Sequence, residues 1–406
     1  MDDTLFTSER ASWRLRRVAL IALAAGSLSL VACSDDGDAE ATSTPAVEAT
    51  AAETAAATEV AATPAATEMA EDMAHDASAG ALLAALRLVD TAGFHGMDET
   101  LNGDTPAIDA SWVGAANHAI SATQAVTWPG ESEAVAATFL ADAQALVVAL
   151  DADDVAAAAP LAAAVHESQH AFSHAAFHEL EHLGARDASP GAMLAALIYL
   201  DNVGFHGMDE ALNGDAPEID PSWAGATNNA LAAARSVDWG EVQPQADAFI
   251  AAAEELFAAL QADDAAAAAA PAAAVHETQH ALSHDAYAAL DGMKAADDSV
   301  AARLAAIILA DTAGFHGMDE ALNGDAPEIV ASWTGATSRA LTAARVVAWG
   351  EQQAAADAFI AGATELLAAL EADDASSAAA PAAVVHEAQH ALSHDVYAAI
   401  GGGHDH

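Results

Sequence analysis

Apolar residues return every three to four positions through most of the chain beyond residue 78. Leu82, Leu86, Val89, Gly93, Met97 and Leu101 keep that spacing, which predicts a helix stopped by Asn102-Gly103. A second helix is predicted to begin near Asp109–Trp112 and to end near Trp128. Gly130 then makes a turn, and Glu131 suits the N-terminus of a third helix through Phe139, Leu140, Leu146 and Leu150. The acidic turn Asp151-Ala152-Asp153-Asp154 closes it, and Pro160 is expected to open a fourth. No segment alternates polar and apolar residues as a half-buried strand would. Four helices on short links predict an up-down-up-down bundle.

The pattern occurs three times. Gly-Phe-His-Gly-Met-Asp-Glu stands at 93–99, 204–210 and 314–320, and His-Glu-x-Gln-His at 166–170, 276–280 and 386–390. The intervals are 110 or 111 residues, so each copy is the size of a domain and not of a short solenoid repeat. The expected fold is all-α: three tandem four-helix-bundle repeats over 78–185, 186–296 and 297–400, with a His-containing tail at 401–406. Asp220-Pro221 marks the start of the second helix in the middle copy. Trp112, Trp128, Trp223, Trp239, Trp333 and Trp349 sit at predicted helix ends, where they plug the core or, alternatively, stack on a ligand.

Upstream, Arg14, Arg16 and Arg17 precede an apolar run from Val18 to Val31. A bilayer span needs about 20 residues, so this shorter run reads as the core of a signal peptide over residues 1–32. Leu30-Val31-Ala32-Cys33 resembles a bacterial lipobox, in which cleavage before the cysteine leaves it as a lipidated first residue. An ordinary signal peptide with an incidental cysteine is the alternative. The rest of 33–77 is rich in Ala, Thr, Glu, Pro and Ser without hydrophobic period and reads as a disordered tether.

Charge narrows the function classes. Eleven Lys+Arg against 61 Asp+Glu give a net charge of −50, and loss of residues 1–32 leaves 7 basic and 58 acidic residues. Such a chain repels nucleic-acid phosphates and has no basic patch for anionic lipid. With 54% hydrophobic residues it is too apolar to be disordered throughout. One cysteine rules out an intramolecular disulfide, a Cys zinc site and an iron–sulfur cluster. The negative field concentrates cations, although it also fits an acid-rich surface adapted to salt.

The histidines carry the candidate chemistry. Twelve of the 18 occupy four repeated positions: His95, His166, His170 and His174, then His206, His276, His280 and His284, then His316, His386, His390 and His394. Side chains at i and i+4 are helix neighbours, so His166 and His170 can share an ion at about 2.0–2.1 Å per nitrogen. His174 lies roughly 12 Å from His166 and either pairs with His170 or serves a second ion. In the first copy His178 and His182 extend this ladder. The first motif offers His95, Asp98 and Glu99 on one face, repeated as His206, Asp209 and Glu210 and as His316, Asp319 and Glu320. Antiparallel packing of the first and fourth helices brings the two motifs to a similar depth.

A mixed His/carboxylate site suits Fe, Zn, Cu or Mn. Met97 would favour copper as a ligand, but it sits on the leucine stripe and is expected in the core. Asp90, Asp201 and Asp311 face that stripe, and because a buried carboxylate needs a partner they are candidates to stand behind the ligands. At about 100° per residue, His166 and His170 lie away from the Val165/Phe172 face. His95 lies nearly opposite the leucines unless Gly93 and Gly96 bend the helix. The site is therefore expected at a helix–helix seam or between repeats, with a solvated histidine face as the alternative.

His-Glu-x-x-His also matches the zincin protease motif, in which Glu167, Glu277 and Glu387 would be general bases. An all-helical repeat offers no strand edge for an extended peptide. Glu167-x-x-His170 resembles half of a ferritin-like di-iron motif, but the second and third helices lack the matching residues.

Gly93-Phe94-His95-Gly96-Met97-Asp98-Glu99-Thr100-Leu101-Asn102-Gly103 resembles the GxHxxE segment of the imelysin family, which includes iron-regulated surface proteins and lipid-anchored iron-uptake proteins. The resemblance implies repeated helical bundles, an envelope location and metal handling. It places the family's Gly, His and acid on Gly93, His95 and Asp98, on Gly204, His206 and Asp209, and on Gly314, His316 and Asp319. Asp stands where the family has Glu, with Glu99 one residue further on.

The sequence thus predicts an extracytoplasmic protein, lipid-anchored to the bacterial membrane through Cys33, that binds transition-metal ions for uptake or sequestration. Iron is favoured by the resemblance, with zinc or copper as alternatives. His95, His166 and His170 supply nitrogens, Asp98 or Glu99 an oxygen, and Glu167 and His174 are accessory. Its partners are metal ions, the membrane and an envelope transport partner, without nucleic acid. His404-Asp405-His406 adds a weak site. The rival readings are a structural or adhesive spacer and a zinc peptidase.

Overall fold

The computed structural model describes residues 76–400. The signal peptide, Cys33, nearly all of the tether and the tail histidines lie outside the described residues. Among these residues there are fifteen α-helices and two short 3-10 turns, and no strand beyond isolated bridges. Repeat 1 holds α1 (Ala79–Thr91), α2 (Phe94–Leu101), α3 (Ser111–Gln124), α4 (Ser132–Asp151) and α5 (Val155–His182). Repeat 2 holds α6 (Pro190–Asn202), α7 (Phe205–Leu212), α8 (Ser222–Ser236), α9 (Gln243–Gln261) and α10 (Ala265–Asp291). Repeat 3 holds α11 (Val300–Thr312), α12 (Phe315–Leu322), α13 (Ser332–Val346), α14 (Gln353–Glu371) and α15 (Ala375–Ile400).

Each repeat therefore has five helices where four were expected. The first predicted helix breaks at Gly93, which adopts φ +79°, a left-handed conformation that a residue with a Cβ enters at a cost. Gly204 and Gly314 do the same at φ +85° and +82°. The fourth predicted helix starts earlier than Pro160. Asp154 caps it by accepting from Ala157 N at 3.1 Å, and Pro160 lies one turn inside.

α1, α3, α4 and α5 pack side by side, and α2 crosses α5. Phe94, Phe139 and Phe172 meet at centroid distances of 5.6 and 5.5 Å in the interior. Burying each ring contributes roughly 1.5–3 kcal/mol. Trp128, Trp239 and Trp349 are buried, their indole N–H groups donating at 2.8 Å to the carbonyls of Thr123, Ala234 and Ala344. Trp112, Trp223 and Trp333 are half-buried against the same core. The six tryptophans plug helix ends.

The repeats are not separate beads. α1, α6 and α11 pack on one another, and residues 79–89 of α1 are buried on every side. A helix buried all round belongs in a core, and α1 takes even Arg87 into it. Small residues permit the close approach: a Cβ on Gly191 would lie 2.5 Å from Ala302 N. Asp187 and Asp297, in the links between repeats, accept from Gly80 N at 3.1 Å and Gly191 N at 2.8 Å. Around the outside α5 packs on α8, α10 on α13, and α15 returns to α3. At that last seam His118 stacks on Tyr397, centroids 3.7 Å apart and planes at 9°. One apolar core runs through all three repeats. Ser132–Asp151 and Val300–Leu322 are long and apolar enough to cross a membrane by length and composition, but the second is mostly buried here.

Candidate metal centre

The left-handed turn at Gly93 redirects α2 across α5 and sets His95 against the second motif. His95 Nδ1 lies 3.0 Å from His166 Nε2, and His170 Nε2 lies 2.9 Å from the same atom. Repeat 2 reproduces this with His206, His276 and His280 at 3.2 and 3.0 Å, and repeat 3 with His316, His386 and His390 at 3.1 and 3.0 Å. The seam is that of α2 and α5, within one repeat.

The carboxylates fall elsewhere than their expected ligand positions. Asp98 Oδ2 accepts from His166 Nδ1 at 2.9 Å, the ring nitrogen turned away from the cluster. Its other oxygen accepts from Asn102 Nδ2 at 2.8 Å, and Asn102 also donates to the Ala159 carbonyl at 2.9 Å. Asp209 and Asp319 hold His276 and His386 in the same way, again at 2.9 Å. Glu99 Oε1 faces His95 Nε2 at 3.3 Å, and Glu210 and Glu320 face His206 and His316 at 3.4 Å. Both acids sit behind the imidazoles because α2 lies so close to α5 that the rings fill the space between them.

Proton placement follows from these bonds. An imidazole that donates one N–H to a carboxylate presents a lone pair at its other nitrogen. His166, donating from Nδ1 to Asp98, presents its Nε2 lone pair to His95 Nδ1 at 3.0 Å and to His170 Nε2 at 2.9 Å. The neutral Nδ1–H tautomer of His95 closes this contact as a hydrogen bond, and a bound cation would require the other tautomer, with both lone pairs turned toward it. At metal–nitrogen bonds of about 2.0–2.1 Å, nitrogens this far apart subtend roughly 90–100°. Partial burial, then the His166 ring, pushes the His170 imidazole below its ordinary range, toward the neutral form that binds metal. Among the described residues no group of three or more His, Cys, Asp or Glu is arranged so that it could hold a metal ion. The contacts run outward from His166 to its two neighbours, and His170 lies on exposed helix surface.

Other predicted residues stay apart from the trios. His174 is exposed, and His284 and His394 turn to Asp285 and Asp395 at 2.9 and 3.4 Å. Glu167, Glu277 and Glu387 are exposed. Met97 is buried in the core. Asp90 makes its hydrogen bonds away from the histidine trio. Its carboxylate accepts from Gln169 Nε2 at 3.2 Å, Ser173 Oγ at 2.9 Å and Tyr199 Oη at 3.2 Å. Gln279 and Ser283 bind Asp201, and Gln389, Ser393 and Tyr397 bind Asp311. The His-Glu-x-Gln-His motif therefore has two faces, histidines toward α2 and glutamine toward the core.

Repeat 1 carries Phe177 where the others have Tyr287 and Tyr397. Tyr199 of repeat 2 packs edge-on against Phe177 and brings the hydroxyl to Asp90 from next door. Asn102, Gln169 and Ser173 were missed as site residues. Their recurrence at one interval in all three copies was the available signal, read only as helix punctuation at Asn102. No family model, curated protein or solved structure matches the chain.

Proposed function

We propose that the chain is a cell-envelope lipoprotein, anchored outside the cytoplasm through Cys33, that binds transition-metal ions at three imidazole clusters for uptake or sequestration. The observation that carries this reading is the pair of facing ring nitrogens, 3.0–3.2 Å apart in all three repeats, with His166, His276 and His386 each held from behind by a carboxylate. Fifty-eight acids in the mature chain gather cations around these clusters. The likeness of residues 93–103 to the imelysin segment supports the same reading and favours iron. The donors themselves favour zinc or copper, since imidazole nitrogens face the cluster and the carboxylates do not.

Metal analysis of tag-free protein, followed by titration, tests this. Each of His166→Ala, His276→Ala and His386→Ala is expected to remove one bound ion, and the triple variant all three. Unchanged binding by the triple variant overturns the assignment and leaves a spacer. For the peptidase reading His95 supplies a third imidazole, but a groove is also needed. A cavity of about 410 Å³ between repeats 1 and 2, lined by Leu180, His182, Arg186 and Arg235 among others, contains none of the trio.

A further inference from the structure

The histidine ladder on α5 continues past the trio in repeat 1 alone. His178 and His182 stand one helical turn apart near the C-terminal end of α5, both exposed, with ring centroids 4.5 Å apart and planes inclined at 33°. His182 Nδ1 donates to the His178 carbonyl oxygen at 2.7 Å. That bond puts the ring proton on Nδ1 and leaves the Nε2 lone pair for a ligand, as metal-binding imidazoles are commonly held.

Neither packing nor ancestry accounts for the pair. Exposed rings add little to the core, and the corresponding residues are Ala288 and Gly292 in repeat 2 and Ala398 and Gly402 in repeat 3. These two histidines belong to repeat 1 by itself, unlike the twelve shared ones.

We propose that His178 and His182 form a fourth, separate metal site, holding a divalent ion of the nickel, copper and zinc class between two imidazole nitrogens. A two-nitrogen chelate at i and i+4 leaves the remaining coordination positions to water or an external ligand. Copper(II) heads the affinity order for such donors. The site shares no ligand with the trios and does not depend on them.

Equilibrium dialysis of the full chain against copper(II), with bound copper counted per chain, is the test. The H178A/H182A variant is expected to bind one copper fewer than the parent, the other ions keeping their affinities within about twofold, as independent sites should. H166A/H276A/H386A is expected to retain the copper that H178A/H182A loses. If H178A/H182A binds as many copper ions as the parent, the proposal is overturned whatever the trio variant does. Far-UV circular dichroism of H178A/H182A is expected to match the parent, because both rings are exposed.

Discussion

Asp98 shows how much one carboxylate can decide from behind an imidazole. Its bond to His166 Nδ1 fixes the tautomer, and its bond to Asn102 fixes its own position. Replacing Asp98, Asp209 and Asp319 by Asn leaves shape and volume nearly intact but no longer favours the N–H form at Nδ1. Metal affinity measured by competition with a chelator is expected to fall about 10–100-fold, with little change in stability. Unchanged affinity means that the acids have no such part. Sequence spacing puts Asp98 on one helix face with His95, and the structure brings it to His166 Nδ1, but which ring nitrogen it meets depends on the distance between α2 and α5, which spacing does not contain.

The acids that end the first helix of each repeat bear on pH instead. Burial pushes Asp90, Asp201 and Asp311 above the ordinary carboxyl value of 3.8, outweighing the hydrogen bonds from Ser173, Ser283 and Ser393, although part of Asp311 reaches solvent. An acid whose folded value is raised stabilises the fold most below 3.8, and that contribution is lost as pH climbs through the raised value. The D90N/D201N/D311N variant keeps an acceptor oxygen and cannot ionise. Its stability relative to the parent is expected to improve as pH rises from about 4 to 7, followed by urea denaturation. A difference that stays flat across this range would contradict the assignment.

At the level of the helix, the 3.6-residue period located nearly every element, and Asn102-Gly103 marked a true end. The break at Gly93 escaped it because apolar spacing runs unbroken through Val89, Gly93 and Met97, and only the positive φ separates α1 from α2. The central contact of α1, α6 and α11 also escaped it. One leucine stripe was read, while Leu83, Ala84 and Ala85 between its members are equally buried. Gly191 tests that contact. Alanine there meets the Ala302 backbone at 2.5 Å, and backbone yields less readily than a side-chain tip. G191A is expected to destabilise the protein by about 1–3 kcal/mol in chemical denaturation.

For the whole molecule, a common core predicts common unfolding. Leu83→Ala opens a hole in α1, one of the three central helices, and is expected to cost about 2–5 kcal/mol. It should move a single transition, seen together by far-UV dichroism and by the buried tryptophans of all three repeats. Three resolved transitions, of which only one shifts, would mean that the repeats fold as independent units. Triplication is plain in the sequence, but closure of α15 onto α3 is not, since it joins segments some 270 residues apart.

The hydroxyl that Tyr199 lends to Asp90 gives the copies an order along the chain. A gene shuffled so that repeat 3 followed repeat 1 would place Leu309 where Tyr199 now stands, leaving Asp90 only the donors of Gln169 and Ser173 beside Phe177. Three near-duplicates have thereby become parts with addresses, and recombination among them, which their likeness invites, is penalised by a single phenol.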